Sequence, residues 1–119
     1  MPLLNFRPEF AALVESGKKR QTIRARRKDG RDPKPGDTLY LYTGCRTKKA
    51  RKLGEVICLD IHKVSISWSW RERGVAALCG SPFTFEETAT RDGFASASEM
   101  LRWFERVHGL PFDGLLIRW

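Results

Sequence analysis

Cysteine and histidine are scarce in this chain. Three cysteines, Cys45, Cys58 and Cys79, and two histidines, His62 and His108, stand far apart among 119 residues. Three thiols at wide, irregular spacing make no disulfide framework. Without a Cys-x-x-Cys pair or a neighbouring histidine they make no zinc site, which needs four clustered ligands. No metal or other cofactor is expected, and the thiols read as buried or incidental side chains in a reducing cytoplasm. No apolar run approaches the ~18–20 residues that span a bilayer, so no membrane partner is expected either. The opening stretch from Met1 to Arg7 lacks a charged segment leading into a long apolar one, and does not read as a secretory signal. There is no repeat, low-complexity tract or linker, so residues 1–119 read as one domain, large enough for one core.

Acidic residues are missing where basic ones crowd. Residues 18–52 hold fourteen Lys and Arg against three Asp, while the rest of the chain holds eight against eleven, so the formal charge of +8 arises entirely in one third of the sequence. A segregated basic region sets up a field that gathers polyanions. Scattered charge would serve solubility as well, so the clustering points to a ligand. A hydrophobic fraction of 41% marks a globular chain.

Periodicity predicts a helix over 8–16. Pro8 suits the first turn, Phe10, Leu13 and Val14 form one apolar face, and Gly17 ends the helix in a left-handed conformation. A short strand over 22–24, a polar loop over 26–35 and the turn Pro35-Gly36-Asp37 follow, then an alternating strand over 38–43. Residues 44–52 form a second basic loop. The stretch 55–66 reads as one long strand whose apolar phase changes, predicting a bend near His62-Lys63. A short helix is expected around 71–78. Ser96-x-x-Glu99 is a capping box that opens a helix over 97–108, with Met100, Trp103, Phe104 and Val107 as its apolar stripe. Residues 115–119 form a last strand. Strands in the middle and a helix near each end favour an α+β barrel over a parallel sheet.

The densest chemistry lies in Ser16-Gly17-Lys18-Lys19-Arg20-Gln21-Thr22-Ile23-Arg24. Gly17 lets the backbone turn sharply between helix and strand, and such a junction can aim a lysine and a hydroxyl into one cleft. Lys19 and Thr22 would face opposite sides of a straight strand, so the turn has to persist through Lys19 for them to converge. Together with Pro35-Gly36-Asp37, with Asp92-Gly93-Phe94 ahead of the helix carrying Glu99, and with the closing strand from Phe112, this segment resembles the ASCH family, a relative of the PUA RNA-binding fold. The resemblance implies a small PUA-like β-barrel with a cleft lined by Lys19 and Thr22. One branch of that family looks like amidohydrolases that remove the acetyl group of N4-acetylcytidine. Another is associated with cleavage of single-stranded RNA, and further relatives are presumed RNA binders. In the amidohydrolase branch a Lys, a Thr and a Glu act together. Lys19 and Thr22 match the first two, and Asp92, one methylene shorter, stands nearest to the third. Thr22 would then be the nucleophile, Lys19 the base, with its pKa lowered by desolvation and by Arg20 and Arg24, and Asp92 the group that positions it.

The basic loops have too few apolar residues to be core. Arg24, Arg26, Arg27 and Lys28 in the first, over 24–34, with Arg20 just before it, and Arg46, Lys48, Lys49, Arg51 and Lys52 in the second, over 46–52, are the expected RNA contacts, forming a phosphate track if both loops flank one cleft mouth. A free nucleoside has no phosphate, so this much charge favours a polymeric or phosphorylated ligand. The expected partner is RNA or an RNA-derived nucleoside, and an adaptor that binds acidic proteins is the alternative from another class. Plainer roles stand beside these. Lys19 serves equally as a phosphate contact, Thr22 as a strand former, Asp92 as a turn residue, and Arg24 as a partner for Asp37 or Asp60. The pairs Tyr40/Tyr42 and Trp68/Trp70 suit either base stacking or packing.

Overall fold

A computed structural model describes residues 3–27, 30–45, 47–68 and 76–119, with the backbone path alone at 68 and 76–79. In chain order the elements are β1 (Leu3–Phe6), α1 (Pro8–Glu15), β2 (Gln21–Arg24), β3 (Thr38–Thr43), β4 (Arg51–Ile57), β5 (Asp60–Trp68), β6 (Ala76–Cys79), α2 (Phe85–Arg91), α3 (Ala97–Val107) and β7 (Phe112–Arg118). The fold is α+β, with a helix near each end as expected and a third, α2, beside α3. Among the described residues no helix is long and apolar enough to cross a membrane.

The strands form two sheets. One has the order β1-β3-β4, with β1 parallel to β3, and the other the order β2-β7-β5-β6, antiparallel throughout. No ladder joins their edges β1 and β2 among the described residues, so the expected barrel is not closed. The long strand read over 55–66 is split at Cys58-Leu59, ahead of the bend expected near His62-Lys63. There the chain leaves one sheet for the other: Cys58 N donates to Asp37 O and Leu59 N to Arg118 O, both at 2.8 Å. The corner turns Cys58 inward while Ile57 and Leu59 stay exposed, which explains the apolar phase change. The region expected to be helical at 71–78 contains instead the start of β6, whose residues pair with Ser65–Trp68; 71–75 lie outside the described residues.

β7 is the spine. Its run Leu115-Leu116-Ile117 is buried on both faces, the pattern of a strand covered on both sides. Leu115 and Ile117 join Leu4, Phe6, Val14, Leu39 and Leu41 in one core, beneath α1. Leu116 joins Ile23, Ile66, Met100, Phe104 and Phe112 in a second, beneath α2 and α3. The capping box holds in part. Ser96 Oγ accepts from Glu99 N at 3.2 Å, while the Glu99 carboxylate accepts from Ala95 N, one residue earlier than the reciprocal bond predicts.

Candidate functional site

The end of α1 delivers Lys19. Gly17 adopts φ +80, as a left-handed helix terminator should. Lys19 N then donates to Leu13 O at 3.0 Å, so the chain folds back under the helix before β2 begins at Gln21. The turn therefore does persist through Lys19, and the lysine enters the interior with only 2% of its surface exposed.

The turn after α2 delivers Asp92. Gly93 has φ +98, and a Cβ there would sit 3.0 Å from a Leu13 methyl and 3.7 Å from the Lys19 chain. A glycine is thus needed both for the backbone conformation and for close approach to α1. The turn presents two acceptors to one ammonium: Lys19 Nζ donates to Asp92 O at 2.5 Å and lies 3.1 Å from Asp92 Oδ2. Gln21 Nε2 donates to Thr88 O at 3.2 Å and reaches Asp92 Oδ1 at 3.5 Å. The Phe10 ring lies 5.0 Å from the ammonium, within cation–π range.

Burial is the main influence on both members of the pair. It pushes the Lys19 ammonium below the ordinary lysine range, against the pull of Asp92, with Arg24 adding a little in the same direction as burial. It pushes the Asp92 carboxyl up, against the pull of Lys19. Arg20, expected to crowd Lys19, takes no part in this.

Lys19, Thr22 and Asp92 line one cavity of about 370 Å³. Thr22 and Arg24, two apart on β2, share the strand face opposite Ile23. Aromatic side chains make much of the wall: Phe6, Phe10, Phe94, Trp103 and Phe104. Phe10, Phe94 and Trp103 meet with centroids 5.5–5.8 Å apart, Phe10 edge-on to both others, a geometry aromatic rings prefer. The Trp103 indole is pinned from outside by Nε1 donating to Glu9 at 3.2 Å.

The cavity lies at the open seam between β1 and β2, and arginines bridge that seam. Arg24 donates to Asn5 O at 2.5 Å and Arg27 to Leu3 O at 2.9 Å, both across to β1. Arg24 therefore does not pair with Asp37 or Asp60. Asp60 holds Arg118 at 2.9 Å instead, and Asp37 accepts from Lys34 N. The Arg24 guanidinium lies over Phe6 at 4.7 Å, its Nε has no hydrogen-bond partner among the described residues, and burial lowers its pKa to about 10.

The remaining basic residues are dispersed. Arg20 lines a separate recess with Lys18 and Arg118, and Arg26 another with Lys63 and Asp113. Lys48, Lys49, Arg51 and Lys52 are exposed on the β3–β4 hairpin and do not line the cavity. Arg51 pairs with Glu15 and Lys52 with Glu55. Among the described residues only the first basic loop thus contributes to the cleft, through Arg24 and Arg27, with Asp32 beside them. Lys28 and Arg46 lie outside the described residues, as does Trp70. Tyr40 and Tyr42 are half-buried on the face of β3 opposite Leu39 and Leu41, with Lys52 5.9 Å from the Tyr40 ring.

Sequence reasoning did not single out Gln21, Asn5 or Asp32. It assigned Phe10 and Trp103 to apolar helix faces, where they do lie, without separating cavity wall from core. Comparison with models of protein families, with curated proteins and with solved structures finds no match to this chain.

Proposed function

We propose that this chain is an RNA-binding or RNA-processing protein of the ASCH type, with a PUA-like fold, whose cleft between β1 and β2 receives a single unstacked base. The carrying observation is the composition of the cavity: aromatic walls around a buried Lys19–Asp92 pair, with Arg24 and Arg27 across its seam. Its volume falls within the ~300–1,000 Å³ of small-ligand pockets. Single-stranded RNA is read by stacking splayed bases on aromatic or guanidinium planes and by hydrogen bonds to their edges. Phe10, Trp103 and Arg24 offer the planes; Thr22, Lys19 and Asp92 offer donors and acceptors. A buried ion pair is a costly way to fill an interior, since apolar residues of similar size are often as stable or more so, which favours a functional reason for it.

A second reading rests on the same pair. An amidohydrolase acting on N4-acetylcytidine-type nucleosides is supported by Thr22 sharing a cavity with a lysine whose pKa is lowered by burial. In that reaction Thr22 Oγ attacks the acetyl carbonyl and gives its proton to neutral Lys19. The proton passes to the departing cytosine amine, and water then releases acetate from Thr22. Asp92 holds the lysine in place throughout.

The test incubates the protein with single-stranded RNA and with N4-acetylcytidine, and compares Trp103→Ala, Arg24→Gln, Lys19→Ala and Thr22→Val. RNA affinity should fall about tenfold in Trp103→Ala, the scale of one lost base stack, and also fall in Arg24→Gln. Wild-type RNA affinity in both variants overturns the cleft reading. Release of cytidine that disappears with Lys19→Ala and Thr22→Val establishes the hydrolase. RNA cleavage that disappears with the same changes establishes a ribonuclease.

A further inference from the structure

On the other side of the Lys19–Gln21 segment lies a second recess of about 280 Å³, lined by Lys18, Arg20, Gln21, Leu59, Arg91, Arg118 and Trp119. Four of these have cationic side chains and none has an acidic one. Only Arg118 has a carboxylate partner, Asp60; among the described residues Lys18, Arg20 and Arg91 have none within ion-pair distance. Elsewhere the same chain does neutralise its cations, as Arg51 with Glu15 and Lys52 with Glu55 show.

Three distant parts of the sequence converge on this recess. Lys18 and Arg20 come from the turn into β2, Arg91 from the last turn of α2 and Arg118 from the end of β7. The backbone fixes the first and last against each other, with Trp119 N donating to Arg20 O at 3.1 Å. The Phe83 ring fixes the other side: the Arg91 guanidinium lies 4.1 Å and the Arg118 guanidinium 4.8 Å from its centroid. Two like charges held around one ring repel each other, and an anion in the recess that both line relieves that repulsion. The planar forks of three arginines suit the oxygens of a phosphate group better than any apolar ligand does.

We propose that this recess is a phosphate-binding site, with Arg20 and Arg91 as its principal ligands and Lys18 and Arg118 in support. It stands on its own charges and does not require the cleft reading. The phosphate belongs either to an RNA backbone or to a small phosphorylated molecule. Gln21 is the shared wall: it lines the recess, and its amide holds Asp92 and Thr88 behind it. An occupant here therefore sits one side chain away from the Lys19–Asp92 pair.

The test is the double variant Arg20→Gln/Arg91→Gln, both surface positions, with binding of inorganic phosphate and of a ten-nucleotide oligouridylate followed by calorimetry at several salt concentrations. If the source is RNA, oligonucleotide affinity falls at least tenfold, and the dependence of log K on log salt flattens by about 0.7 for each phosphate that is no longer neutralised. If the source is a small molecule, inorganic phosphate binding is abolished and oligonucleotide binding is unchanged. Wild-type binding of both probes by a variant of unaltered melting temperature overturns the site. So does an absence of any phosphate or oligonucleotide binding by the wild-type protein. Trp103→Ala separates this from the cleft: it should leave phosphate binding untouched.

Discussion

At the β1–β2 seam, Lys19 meets Asp92 with side chains 2% and 6% exposed; on the β3–β4 hairpin, Lys52 meets Glu55 with side chains 45% and 48% exposed. The partners are chemically alike, but the two lysines are pushed in opposite directions. Hydrogen bonding to Glu55 raises the Lys52 pKa, while loss of solvent lowers that of Lys19 despite its carboxylate. Water screens the exposed pair and leaves little at stake in it. In the interior neither the attraction nor the desolvation is screened, and the larger of the two sets the protonation state. Charge density along the chain therefore does not locate the buried pair. The hairpin holds more cations within a few residues, and the seam holds the ones whose pKa values burial lowers, Lys19 and Arg24.

The largest effect expected from that contrast is on stability. Asp92→Ala leaves a buried ammonium without its carboxylate and should cost about 3–5 kcal/mol in urea unfolding. Glu55→Ala on the hairpin should leave the midpoint nearly where it was. The double change Lys19→Met/Asp92→Leu sharpens the comparison, because a buried pair replaced by apolar side chains of similar size is often neutral. It should recover most of the stability lost in Asp92→Ala. If Asp92→Ala is as mild as Glu55→Ala, the pair is not buried as described.

Two glycines extend the contrast to the backbone. Gly93 needs φ +98 and has Leu13 3.0 Å from where a Cβ would stand, whereas Gly54 in β4 has ordinary φ and nothing within 4 Å. Gly93→Ala should cost about 1–3 kcal/mol in strain and weaken ligand binding by displacing Asp92. Gly54→Ala should be neutral, or stabilising by about 0.5 kcal/mol through the unfolded state. Equal effects at the two positions would mean that the Asp92 turn is not under constraint.

A pH series separates the lysines by sign. Lys19, with its pKa below 10.5 in the folded protein, carries a burial penalty wherever it is charged. Between its folded pKa and 10.5 the unfolded chain binds more protons, so folding stability rises with pH across that window. Lys52, with its pKa raised above 10.5, contributes stability that is present below 10.5 and lost as pH climbs through its folded value. Subtracting the Lys19→Met unfolding curve from the wild-type curve isolates the first trend. A difference that falls with pH, in place of rising, contradicts burial as the dominant influence. Hydrolysis, if Lys19 is its base, should accelerate with pH and level off below 10.5.

How far the site was legible depends on how local its signals are. Gly17, Lys19 and Thr22 were readable because a helix terminator, a turn and a strand follow one another within six residues. α2 was missed although Thr84-x-x-Glu87 has the spacing of a capping box, and Thr84 Oγ does accept from Glu87 N at 3.1 Å. Its seven residues are too few for periodicity to register. β1 was missed for the same reason: four residues carry only two buried side chains, Leu4 and Phe6. The bend expected near His62-Lys63 falls at Cys58-Leu59 because residues 57 and 59 share a face that is exposed at the corner, which alternation alone cannot distinguish from a core face. Gln21 was not legible at all. Its role comes from Thr88 and Asp92, brought to it by a helix almost seventy residues downstream.

The smallest expected effect concerns the hairpin lysines. Lys48 and Lys49 are exposed, lie away from the cavity, and belong to a turn closed by Thr47 N donating to Gly44 O and Ala50 N to Thr47 O. Neutralising both, as Lys48→Gln/Lys49→Gln, removes long-range attraction without disturbing the seam. RNA affinity should fall only a few-fold at low salt and not at all near 0.5 M, where the Debye length is about 4 Å. Arg24→Gln, in contrast, removes a guanidinium held over Phe6 inside the cleft, and its loss of affinity should persist at that salt. Binding curves for the two variants at low and high salt decide the matter. If the hairpin variant loses as much as Arg24→Gln under both conditions, RNA lies along the hairpin, and the cavity at the seam is not where it is held.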